Sequence, residues 1–130
     1  MDTIGKSLFA AMMATIVLLA FSLNASAEES FKEVAVKVSA YTLRECNHNR
    51  GKTASLKRVK EGHIAVSRDL ERKHGLKFGD KVYISGLGEF EFQDRTSIRK
   101  KNWVDVYMSS HAKARKFGVK RLTMMIADRD

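Results

Sequence analysis

Two short runs, Phe90-Glu-Phe-Gln-Asp-Arg-Thr96 and Trp103-Val-Asp-Val-Tyr-Met108, each alternate like a β-strand, and each carries one aspartate where strand interiors disfavour it. By strict alternation Phe90, Phe92 and Asp94 share one face, so Asp94 ends an otherwise apolar row. In the second run Val104, Val106 and Met108 form the apolar face, leaving Asp105 and Tyr107 on the other. A buried carboxylate is costly unless something holds it. Two of them on neighbouring strands therefore make a candidate site. The plainer alternative is a turn cap at Asp94 and a solvated strand face at Asp105.

The rest of the chain supplies partners for these strands. Val34, Val36 and Val38 alternate with Ala35, Lys37 and Ser39, which predicts a first strand after a charged lead-in from Glu28 to Glu33. Arg44 to Lys60 reads as a polar, basic loop punctuated by Gly51, and Ile64-Ala-Val66 as a short buried strand. Ser67 is a good helix N-cap, with Asp69 in the first turn, Lys73 and His74 in the last, and Gly75 at the stop. Lys81–Ile84 and Glu89–Gln93 read as a hairpin across Gly86-Leu-Gly88, and Ser97–Asn102 as a loop with three basic residues, Arg99, Lys100 and Lys101. Ser109 or Ser110 caps a helix through Lys116, ended by Gly118, and Arg121–Ile126 is the last strand. No proline, low-complexity tract or internal repeat interrupts the order. Six short strands and two short helices predict a mainly β fold, a small closed barrel.

The chain begins with what reads as a secretory signal peptide over residues 1–27. Lys6 supplies the positive start, Leu8 to Leu23 the apolar run, and Ala25-Ser-Ala27 the small-residue cleavage site. An uncleaved anchor is the alternative. Residues 28–130 are then one small domain. Lys6 and Asp2 cancel, so that domain keeps the full net charge of +9. An exported chain this basic is expected to meet anionic envelope polymers rather than nucleic acid. The expected location is the periplasm or cell envelope, without a stable membrane anchor.

Cys46 is the single cysteine, which excludes an intramolecular disulfide. Cys46-Asn-His-Asn49 invites a metal reading, but zinc needs further ligands, and His63, His74 and His111 lie on separate elements. A loop feature is the simpler account of Cys46 and His48. Neither a metal nor a cofactor is expected.

Taken in order, Gly62-His-Ile-Ala-Val-Ser67, Gly75-Leu-Lys-Phe-Gly-Asp-Lys-Val-Tyr-Ile84, Gln93-Asp-Arg-Thr96 and Trp103–Met108 resemble the three-aspartate (3D) domain. That domain is the double-psi β-barrel core shared with the membrane-bound lytic transglycosylase A family and with stationary-phase survival peptidoglycan-cleaving enzymes. The resemblance runs from about Val34 to Ile126, and Ala40-Tyr-Thr42 and Gly51-Lys-Thr-Ala-Ser55 are similar to the family's first strand and its Gly-x-Thr-Ala loop. Two departures stand out. The family's first aspartate usually follows the Ile-Ala-Val strand, and here that position is Ser67, with Asp69 two residues on. The small residue usual after Thr-Ala-Ser is Leu56.

The resemblance implies a six-stranded double-psi barrel and lytic transglycosylase-like cleavage of the bond between N-acetylmuramic acid and N-acetylglucosamine in peptidoglycan. One carboxylic acid protonates the glycosidic oxygen and then takes the proton of the sugar's C6 hydroxyl, so a tethered nucleophile replaces the second carboxylate that other glycosidases need. By family position Asp105 matches the acid/base, and Asp94 is its candidate neighbour. An acid needs its proton near neutrality, which burial or a second carboxylate favours and Arg95, Arg99, Lys100 or Lys101 pointing inward would oppose. Tyr41, Thr53, Ser67, Asp69 and Trp103 are the candidate substrate contacts, Ser67 and Asp69 having the helix cap as a second explanation and Trp103 the core. A second reading is a non-catalytic double-psi barrel that binds peptidoglycan or another envelope polyanion, and a third is a secreted inhibitor or interaction protein that uses only the charge.

Overall fold

The computed structural model describes residues 28–46 and 49–129. The signal-peptide expectation and His48 fall outside the described residues. Six strands close into a barrel: β1 (Phe31–Tyr41), β2 (His63–Val66), β3 (Lys81–Ile84), β4 (Gly88–Arg95), β5 (Trp103–Tyr107) and β6 (Lys120–Ala127). Around the barrel they run β1-β5-β2-β4-β3-β6. Helix α1 (Arg68–His74) follows β2, and α2 (His111–Phe117) follows β5. The architecture matches the sequence expectation. β1 starts earlier than expected, at Phe31, because Phe31 to Val38 pair with β6 from Ala127 back to Lys120. The second half of the charged lead-in, Phe31 to Glu33, is strand.

Exchanging β1 with β4, β2 with β5 and β3 with β6 maps the pairings onto one another. The parallel pair β1–β5 becomes the parallel pair β4–β2, and the antiparallel β1–β6 becomes β4–β3. The antiparallel pairs β2–β5 and β3–β6 map onto themselves. Both halves fill one core: Val38, Ile64, Val66 and Ile84 from the first meet Phe92, Val104 and Met124 from the second, all fully buried. A repeat that is silent in the sequence is thus present in the topology.

Local structure follows from the residues. Gly75 closes α1 at φ 60°, in the left-handed region where a Cβ is unfavourable. Ser110 caps α2 by accepting the Lys113 amide. Ser67 occupies the N-cap position of α1, yet its hydroxyl accepts the Trp103 amide at 3.0 Å and makes no cap bond. Its expected capping role is corrected: Ser67 ties α1's start to β5. Leu56, where the resembling family keeps a small residue, sits at φ 68°, a backbone region unfavourable for a bulky side chain.

Candidate functional site

The site rests on one row of residues running across four strands. Asp94 on β4 faces Ala65 on β2, Ala65 faces Asp105 on β5, and Asp105 faces Ser39 on β1. Directly opposed residues point to the same face of a sheet. Ile64 and Val66 on either side of Ala65 belong to the core, so this row faces outward. The simple parity reading of β4 is corrected here. The register between β2 and β4 shifts between Ile64 and Ala65, so that Phe92 pairs with Ile64 but Asp94, two residues on, pairs with Ala65. Gln93 is the extra residue of a bulge. It is buried beside Phe92, and it turns Asp94 out of the apolar row onto the face that carries Asp105.

A second expectation is also corrected. β4 and β5 are not neighbours, because β2 lies between them. At ordinary strand spacing the backbones of Asp94 and Asp105 lie roughly 10 Å apart, with only the methyl of Ala65 between. A groove of about 730 Å³ opens over this row. One wall comes from the 42–62 connection with Cys46, Lys52 and Ala54, the other from the 96–102 connection with Ser97, Ile98 and Lys100.

The two aspartates are engaged differently. Asp105 is buried and faces donors on every contact: Lys100 Nζ lies 2.7 Å from Oδ2 and 3.0 Å from Oδ1, and Trp103 Nε1 donates to Oδ1 at 3.1 Å. The Ser39 hydroxyl also donates to Oδ1 and accepts from Trp103 Nε1 at 2.8 Å. Lys100 Nζ lies 4.9 Å from the centre of the Trp103 ring, and Lys37 Nζ 5.4 Å from it. Asp94 instead holds the chain: its Oδ1 accepts the Ala54 and Arg95 amides, both at 2.9 Å, and the Cys46 thiol points at Oδ2 from 3.9 Å. Asp94 therefore fastens the 42–62 connection to the barrel.

Beneath that connection lies a second apolar cluster of Tyr41, Cys46, Val59, Ala65 and Tyr107. The rings of Tyr41 and Tyr107 meet edge to face at 5.5 Å. Tyr41 lines the groove, with its hydroxyl buried toward Asp94. Burial, then the charge on Asp94, raises its pKa far beyond a free phenol. Burial also pushes the Cys46 thiol up to about 11, with Asp94 and Glu45 adding to the effect. At neutral pH Cys46 is a thiol, not a nucleophilic thiolate.

The other sequence-predicted residues are placed around this centre. Trp103 is half-buried beside Asp105. Thr53 is fully buried, its hydroxyl shared with Ser55 at 2.8 Å, away from the groove lining. Ser67 is buried against β5. Asp69 accepts the Asn102 amide at 2.9 Å. Burial pushes Asp69 upward, but bonds from Ser67 and from that amide hold it below its usual range. Of the expected basic residues, Lys100 alone reaches Asp105. Arg95 turns to Glu71 on α1 in a bidentate pair at 2.8 Å through Nε and Nη2. Sequence reasoning passed over Ser39, Cys46 and Ala65 as site components; Ser39 and Ala65 become visible only through the register. Among the described residues no group of three His, Cys, Asp or Glu side chains is placed to hold a metal ion.

No protein-family model matches the sequence, and no curated protein matches it. Solved structures do resemble the fold. The Streptomyces papain inhibitor superposes with TM-score 0.53 at 16% identity, over 75% of this chain and 96% of that one. The apo expansin of Clavibacter michiganensis gives 0.50 at 14% identity, over 76% of this chain and 52% of the expansin. A computationally designed protein, msDPBB_sym2, gives 0.44 at 20% identity, over 75% of this chain and the whole of the other. At such identities the likeness is one of fold. This chain is a six-stranded closed β-barrel of the double-psi type.

Proposed function

We propose that this protein is an exported double-psi barrel that binds anionic cell-wall glycan, peptidoglycan above all, in the groove over Asp94, Ala65 and Asp105, without cutting it. The observation that carries this reading is the state of Asp105. A general acid must arrive with a proton to give, whereas here a lysine ammonium, an indole N–H and a hydroxyl all donate to the carboxylate. That arrangement fills both carboxylate oxygens with donors from the protein itself. The walls suit a sugar polymer with acidic branches: Ala40, Ala54, Ala65 and Ile98 offer apolar surface, and Lys52, Arg68 and Arg95 offer cations. On this reading the chain is a relative of the three-aspartate domains in which Ser67, at the first aspartate position, has a structural task. Residues 1–27 would deliver it to the envelope.

The experiment is incubation with purified sacculi, followed by pull-down and by mass spectrometry of the soluble fraction. The expected result is binding that weakens with salt, since exposed charges are screened over ~10 Å at 0.1 M ionic strength, and no 1,6-anhydro products. Release of anhydro-muropeptides by the wild type, lost in a folded Asp105→Asn variant, would overturn the binding reading in favour of a lytic transglycosylase.

A further inference from the structure

Beyond Arg95 the groove does not end. A second cavity of about 470 Å³ adjoins it and shares Arg68, Arg95 and Ile98 with its lining, adding Glu71, Arg72 and Lys101. Four cations thus face one carboxylate, and Glu71 is already taken up by Arg95. The neighbouring Asp69 is committed to the Asn102 amide. Two of the guanidiniums are held in place before any ligand arrives. Arg95 is fixed by Glu71 and by the Phe78 ring 4.6 Å from its centre, and Arg68 Nη1 donates to the Thr96 carbonyl at 2.9 Å. Among the described residues Arg95 Nη1, the remaining nitrogens of Arg68 and the ammonium of Lys101 have no hydrogen-bond partner. A rigid fork with unused donors is the arrangement that grips an oxyanion through paired hydrogen bonds at reduced entropic cost.

We infer that this niche, framed by Arg68, Arg72, Arg95 and Lys101, is an oxyanion subsite that receives a phosphate or carboxylate carried on the glycan lying in the groove. The inference rests on the glycan reading of the groove and extends it. Two sources share the chemistry, a phosphodiester polymer attached to the wall and the carboxylates of the peptide stems.

The test begins with inorganic phosphate, titrated into the protein at constant ionic strength against chloride, while NMR follows the arginine Nε–Hε signals. Phosphate should shift the signals of Arg68, Arg72 and Arg95 saturably, and chloride should not. The pair Arg72→Glu and Lys101→Glu should abolish saturation and weaken sacculus binding roughly tenfold or more, the loss of about one charge-assisted hydrogen bond. The pair Lys113→Glu and Lys116→Glu on α2 makes the same change of charge elsewhere and should weaken binding far less. Arg72→Gln with Lys101→Gln repeats the test without adding charge. Sacculi stripped of phosphodiester polymers by hydrofluoric acid, and others stripped of stems by amidase, identify the source by which treatment removes the difference between the pairs. No saturable phosphate shift, or equal loss in both charge-reversal pairs, would overturn the subsite. Saturable shifts in a protein that ignores sacculi altogether would sink the glycan reading and leave the subsite standing.

Discussion

The two halves of the barrel, β1-β2-α1-β3 and β4-β5-α2-β6, share their strand pairings but not their surfaces. Inside the barrel, paired strand positions are apolar in both halves: Val38 faces Val104 as Phe92 faces Ile64. Outside, the equivalence breaks at the row that forms the site. Ala65 and Asp105 exchange places under the two-fold relation, as do Ser39 and Asp94, so each pair sets a carboxylate against a small neutral residue. The connections differ as well. The first half crosses by the 42–62 segment with its own apolar cluster, the second by the compact basic segment 96–102. A closed core asks only for apolar volume at each position, which both halves supply. The groove exists because the outer row and the two connections were free to diverge.

Equivalent core positions offer the strongest test of that comparison. Phe92→Ala should cost about 3–5 kcal/mol, because it empties the largest fully buried side chain at the seam between β2 and β4. Its counterpart Val38→Ala, equally buried, removes about two methyl groups' worth of volume and should cost about 2 kcal/mol. Urea unfolding reads both. A Val38 variant that loses more than the Phe92 variant would mean that the halves do not contribute to one common core.

Ser67 and Ser110, each before a helix, separate the halves next. Ser67→Ala leaves the Trp103 amide without its acceptor in a buried seam and should cost about 1–3 kcal/mol. Ser110→Ala removes an exposed cap and should cost about 1 kcal/mol. Thermal unfolding of the two variants ranks them. Equal losses would show that Ser67 is only a cap after all.

The sequence disclosed the elements more readily than their arrangement. Alternation at Val104 and Val106 placed Asp105 on the outer face correctly, and Gly75 and Gly118 marked both helix ends, since these signals are local. The bulge at Gln93 was hidden, because one extra residue changes the parity of Asp94 without changing composition. Strand order was hidden too, and with it the insertion of β2 between the two aspartates. The aim of Lys100 depended on loop geometry: of three consecutive cations it is the one that reaches Asp105. Cys46, read from the sequence as a loop feature, shares an apolar surface with Tyr41, Val59, Ala65 and Tyr107 that only the fold assembles.

Asp94 tests whether the long connection depends on the barrel. Asp94→Ala strands the Ala54 amide and should lower the local stability of residues 49–62 by about 1 kcal/mol, whereas Asp94→Asn retains an acceptor oxygen and should lose less. Hydrogen exchange is the readout, with faster exchange at Val59 and Gly51 than in β1 or β6. Uniform acceleration through the whole barrel would show that the connection and the core are one unit.

The smallest effect expected is the most asymmetric. Counted from the two caps, Glu71 on α1 corresponds to Ala114 on α2. Counted from the outer row, Arg95 corresponds to Ala40. The Glu71–Arg95 pair therefore ties α1 to β4 with no counterpart in the other half. Its hydrogen bonds from Arg95 hold Glu71 below the ordinary 4.5, with burial pulling the other way. A carboxylate lowered on folding contributes stability above its unfolded pKa and loses it as pH falls through the folded value. Glu71→Gln should then be less stable than wild type by about 1 kcal/mol or less at pH 7, Arg95 being a third exposed and screened. The gap should close as pH falls below 4.5 and vanish once Glu71 is protonated in both states. Urea midpoints of the two proteins, followed downward from pH 7, decide it, and a gap that stays constant below 4.5 would assign the loss to packing instead of to charge.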